Sequence, residues 1–165
     1  MHNTKTLALA AAAAAVLTGP AAGDALAGFE VNVAPGKTLA GPGIAVHGYD
    51  PVAYFTDQRP VQGSAEHQIV HENATYRFSS AENLAKFKAN PAKYVPAYGG
   101  FCAYGVSVGA KFDGDPRYWK IVDGKLDLNL NKKIQDTWNE DVKGNIGKAD
   151  ETWKKIKSED PASLG

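Results

Sequence analysis

The chain has 165 residues, 18 basic and 18 acidic side chains, and a single cysteine, Cys102. Balanced charge without a basic run argues against nucleic acid and anionic membranes as partners, and one cysteine excludes an internal disulfide framework. Beyond the N-terminal segment taken first below, about 138 residues remain, enough for one domain with its own core and too few for two.

Residues 1–27 read as a cleavable secretory signal. Lys5 precedes an apolar run from Thr6 to Leu17 that is too short to span a bilayer, and Gly19, Pro20 and the small-residue site Ala25-Leu26-Ala27 follow. No cysteine follows the apolar run, so no lipid anchor is expected. The expectation is a periplasmic or secreted protein with no membrane insertion after signal cleavage, one domain over 28–157 and a flexible tail at 158–165. Residues 28–46 read as an extended lead-in with a short strand at Phe29–Val33.

Asp50 followed by Pro51 predicts an N-cap and first helical position, opening a short helix that Asp57, Arg59 and Pro60 end. From Glu66 to Phe78 the period is two: His67, Ile69 and His71 share a face, a turn falls at Glu72-Asn73-Ala74, and Thr75 to Phe78 return, which predicts a hairpin. Ser79 with Glu82 forms a capping-box pattern, opening a helix with Leu84 and Phe87 at core spacing and Asn90-Pro91 as its stop. Asp123-Gly124 is a type I′ turn signal joining Tyr118–Val122 to Lys125–Asn129. That register sets Trp119 against Leu128 and Ile121 against Leu126 on a core face, and Lys120 against Asp127 on a solvent face. Beyond Asn131, Ile134, Trp138, Val142, Ile146, Ala149, Trp153 and Ile156 predict one long amphipathic helix, bent or split between Gly144 and Gly147. The fold class is therefore α+β: small antiparallel hairpins packed with helices, and a long C-terminal amphipathic helix.

Among residues that could carry chemistry, His67 and His71 would share a metal on a helix, but on a strand they stand roughly 13 Å apart, too far for one ion. Cys102 lies among aromatics and glycines in Tyr98–Tyr104. It reads either as a small buried hydrophobe or as a functional thiol, since an exposed thiol would oxidise outside the cytoplasm. Copper(I) and zinc suit thiolate and imidazole, so Cys102 with His47, completed by Asp50, water or a partner protein, is the most economical metal set. A Cys102–His47 dyad would also suffice for thiol chemistry. Tyr49, Tyr98 and Tyr104 are candidates to line a pocket for a flat ligand, against an ordinary role in packing. No nucleophile elbow and no phosphate loop are present.

The stretches Gly48–Phe55, Tyr76–Ser80, Phe87 with Asn90-Pro91 and Tyr94, Tyr98–Tyr104, and Trp119–Asn129 together resemble the secreted bacterial proteins of the YHS-domain group over most of residues 44–130. The resemblance implies a compact domain of antiparallel hairpins packed with helices. The group's smaller relatives are linked to metal sensing and metal-transporting ATPases and carry cysteines at positions matching Ala53, Ser79 and Asn83 here, so those thiolate ligands do not carry over. Three expectations follow: a periplasmic protein that binds or handles copper or zinc through Cys102; a non-catalytic module binding a small ligand or a periplasmic protein partner, with the cysteine buried; or a thiol redox protein.

Overall fold

The computed structural model describes residues 30–33 and 43–164. The signal segment 1–27 and most of the lead-in lie outside them; of the strand expected at Phe29–Val33, Val33 makes one antiparallel bridge to Ala45. The chain is mixed α and β, two separate two-stranded antiparallel sheets packed with helices, as the sequence implies. No helix among the described residues is long and apolar enough to cross a membrane.

Helix α1 (Ala53–Thr56) starts just after Asp50, whose Oδ1 accepts the N–H groups of Val52 and Ala53. Strands β1 (Ser64–His71) and β2 (Ala74–Phe78) form the first hairpin, closed by Glu72 and Asn73 with φ of 48° and 60°. Because β1 is a strand, His67 and His71 do not share an ion; the His71 ring packs edge-on against Phe87. Helix α2 (Ala81–Ala89) is capped by Ser80, whose Oγ accepts the Asn83 N–H. The expected cap, Ser79, instead turns its hydroxyl inward to Asp50. Pro91 stops α2 and opens the short α3 (Pro91–Tyr94).

The turn Ala97–Gly100 reverses the chain through left-handed residues Tyr98 and Gly99, with φ of 52° and 61°. A Cβ on Gly99 would strike the Glu30 carbonyl, so only glycine lets segment 30–33 pass here. Helix α4 (Ala103–Ser107) follows, then the second hairpin, β3 (Asp115–Val122) and β4 (Lys125–Asn129), in the predicted register with Trp119 against Leu128 and Ile121 against Leu126. The predicted single C-terminal helix is two: α5 (Lys132–Glu140) and α6 (Val142–Ile156). They break at Asp141, whose non-helical backbone (φ −147°, ψ 71°) lets its carboxylate cap the Gly144 N–H. Residues 158–164, expected to be a flexible tail, carry a 3₁₀ turn at Pro161–Ser163, and the Lys157 and Glu159 carbonyls accept from Lys111 Nζ.

Two hydrophobic clusters result. One joins the hairpins to α1–α3 through Tyr54, Tyr76, Phe78, Phe87, Leu126 and Leu128; the other joins α4, α5 and α6 through Val106, Trp138, Ala149 and Ile156. Each fully buried leucine contributes about 1.5–3 kcal/mol. β4 lies between the clusters, so both its faces are covered. Leu126 and Leu128 point into the first, while Asp127 and Asn129, on the opposite face, are buried as well. Here the solvent face expected for Asp127 is corrected: its register partner Lys120 is exposed, and Asp127 is 2% exposed.

Candidate ligand cleft

The residues proposed from sequence as a metal set, Cys102, His47 and Asp50, each have partners of their own. Asp50 is fully buried and both its oxygens are engaged. Besides the two α1 amides on Oδ1, its Oδ2 accepts from the Ser79 N–H at 2.8 Å, Ser79 Oγ at 2.7 Å and Asn83 Nδ2 at 2.7 Å. The backbone of Ala53 and the side chains of Ser79 and Asn83 thus converge on a carboxylate that ties α1 to the start of α2.

Cys102 is 1% exposed and caps α4, its Sγ accepting the Gly105 N–H at 3.4 Å and its S–H directed to Asn129 Oδ1 at 3.7 Å. Burial pushes its thiol up from the ordinary value, outweighing the backbone amides that favour the thiolate. His47 sits in the turn Val46–Gly48, where Val46 and His47 both have φ of 51°, and its Nε2 lies 2.8 Å from Asp113 Oδ1. Burial works against ionised Asp113, but hydrogen bonds from His47 and Asn32 prevail and hold its carboxyl below the usual range. Among the described residues no three His, Cys, Asp or Glu side chains are grouped to hold a metal ion.

The tyrosines are divided too. Tyr49 lines a cleft of about 230 Å³ with His47, Asp113, Asp115 and Arg117. Its acids are already partnered: Asp113 by His47 and Asn32, Asp115 by a bidentate Arg117. Tyr104 is half-buried beside the second cluster, its N–H donating to Asn129 Oδ1, and lines neither this cleft nor the next.

Tyr98 borders a larger cleft of about 430 Å³ between the 95–98 segment, the β3–β4 turn and α6. Ile146, Asp150 and Trp153 follow one another at helical spacing along α6 and form one wall; Val95, Pro96 and Ala97 form another. Asp127 and Val122 line it from the second hairpin. Tyr98 Oη donates to Asp150 Oδ1 at 2.9 Å, and burial followed by that bond raises the Tyr98 hydroxyl well above its ordinary value. Trp153 is held in place by the edge of Tyr98, with ring centroids 6.0 Å apart, and by Lys111 Nζ 5.2 Å from its centroid.

Asp127 is the nearly fully buried acid of this cleft, where Asp123 and Asp150 are exposed. Its carboxyl receives no hydrogen bond among the described residues; burial, then the nearby charge of Asp150, pushes it up to about 7. Both neighbouring lysines are engaged elsewhere, Lys120 Nζ with Asn139 Oδ1 and Lys125 Nζ with the Ala92 carbonyl. A carboxyl with so little solvent contact is held at a cost, and this one opens onto a concave space of the size that takes small molecules.

Sequence reasoning found Tyr98 here and missed Asp127 and Asp150. Two signals were available. Aspartate is depleted in strand interiors, yet Asp127 lies mid-strand between two core leucines. Asp150 falls on the Ile146–Trp153 face of a helix read only as an apolar stripe.

Comparison of the chain with protein-family models, with curated proteins and with solved structures returned no match.

Proposed function

We propose that this protein is a non-catalytic small-ligand-binding domain whose site is the cleft between the 95–98 segment, the β3–β4 turn and α6. The observation that carries the reading is Asp127, a nearly fully buried carboxyl that lines the cleft with no hydrogen-bond donor among the described residues. Aromatic and aliphatic walls around a few polar groups are the usual composition of such sites. Cys102 supports this reading over a thiolate metal site or a redox thiol. It caps a helix, is closed to solvent and has its thiol form favoured by burial, whereas a reactive or ligating cysteine needs access and a thiolate.

The test is a fragment screen of the full chain by ¹H–¹⁵N NMR, paired with Cu(I) and Zn(II) titrations of the chain and of Cys102→Ser. Fragments that shift amides of Ala97, Val122, Ile146 and Trp153, and lose this effect in an Ile146→Trp variant that fills the cleft, are the expected result. No fragment perturbing these amides would refute the site, and tight metal binding abolished by Cys102→Ser would restore the thiolate reading.

A further inference from the structure

The charges around this cleft select its occupant. Three carboxylates line it, Asp123, Asp127 and Asp150, against one base, Lys125, whose Nζ donates to a backbone carbonyl outside. An anionic ligand would meet uncompensated like charge. A hydrated metal ion would engage the carboxylates and leave the apolar walls of Val95, Pro96, Val122 and Ile146 without a partner. What fits both halves is a molecule with a positive nitrogen at one end and an apolar body at the other. The nitrogen supplies the hydrogen-bond donor that Asp127 lacks and offsets the Asp127–Asp150 pair, and the body lies along the aliphatic wall beside Tyr98 and Trp153.

Resting on the reading of this cleft as a ligand site, we infer that its ligand is an organic ammonium: a primary or secondary amine on an aliphatic or aromatic body, held by Asp127 and Asp150. Tyr98 is a positioning residue in this arrangement. Its hydroxyl donates to Asp150 Oδ1, which leaves Oδ2 of that carboxylate to face the nitrogen. Trp153 supplies a π surface at the cleft wall, a setting in which a cation near a ring is stabilised.

Calorimetric titration at pH 8 tests this with two amines, 2-phenylethylamine and hexylamine, beside the neutral 2-phenylethanol and the anionic phenylacetate. At least one amine is expected to bind about tenfold or more tightly than the alcohol, and phenylacetate not at all, as for a charge-assisted hydrogen bond against a neutral one. Asp127→Asn and Asp150→Asn should each weaken the amine about tenfold while leaving the alcohol unchanged; the second variant guards against misfolding of the first. Alcohol and amine binding equally in the cleft, or amine affinity unmoved in both variants, would overturn the inference and leave the ligand site standing. No binding of either amine would also overturn it, and the fragment screen then decides separately whether the cleft binds anything.

Discussion

Replacing Asp127 with asparagine removes a charge from a place where the protein holds it at a cost, and the sign of the effect follows from the proton. In the unfolded chain this carboxyl ionises near the ordinary 3.8; in the folded protein burial and Asp150 push it up to about 7. Between those values the folded state binds the extra proton, so stability falls as pH rises through this window. Below it the group contributes nothing to the difference, and above it the full penalty is present. A rise of this size corresponds to about 4 kcal/mol at pH 8, which for a domain of this size moves the melting temperature on the order of 10 °C. Asparagine keeps the shape and gives Asp150 a neutral neighbour. Thermal unfolding of the two proteins from pH 4 to 8 should therefore show curves that nearly coincide at pH 4 and diverge with rising pH, the variant being the more stable at pH 8. A variant less stable than the parent at pH 8, or a difference independent of pH, would refute the reasoning. The groups facing Asp127 from adjoining elements are Asp150 and Tyr98 across the cleft, Asp123 in the turn and Lys125 at the start of β4; relief of the repulsion between Asp127 and Asp150 is part of the expected difference.

Asp50→Ala strands donors from Val52, Ala53, Ser79 and Asn83 and should lower unfolding free energy in urea by about 3–5 kcal/mol. Cys102 should resist iodoacetamide at pH 8 in the folded protein and react fully in urea, because the Sγ is closed off at the α4 N-terminus; modification at an ordinary thiol rate without denaturant would contradict its placement. Gly144 and Gly147, alike in sequence, should respond oppositely to alanine. A Cβ at Gly144 collides with the Asp141 carboxylate that caps α6 and should cost about 1–2 kcal/mol. One at Gly147 meets nothing within 4 Å and should gain about 0.5–1 kcal/mol in the same urea titration.

The elements legible in the sequence are those decided locally. Asp123-Gly124 set the second hairpin because left-handed φ at both positions is a property of those two residues, and Asn90-Pro91 ended α2 because proline cannot continue it. The α5–α6 break was misplaced because glycine propensity pointed at Gly144 and Gly147, whereas the chain bends at Asp141 and uses Gly144 to admit that residue's cap. The spacing of Ser79 and Glu82 predicts a cap at Ser79, and spacing cannot show that Asp50, far away in sequence, has claim to its hydroxyl.

The site was hidden for a related reason. An alternating Leu-Asp-Leu-Asn strand reads as half solvated whenever one of its faces meets water, and nothing local to β4 reveals that the Ala97–Gly100 turn, α4 and α5 pack against it, with α6 across the cleft. Once those elements are in place, the polar face of β4 has two outcomes, and the strand displays both. Asn129 is tied into structure through its Oδ1, which accepts from Tyr104 and Cys102, while its buried Nδ2 has no partner among the described residues. Asp127, two residues earlier, borders open space instead and gains no donor. A leucine at 127 would remove the cost of the buried charge. The carboxyl therefore destabilises the empty protein, and a positively charged guest is the one addition that would turn this cost into binding free energy.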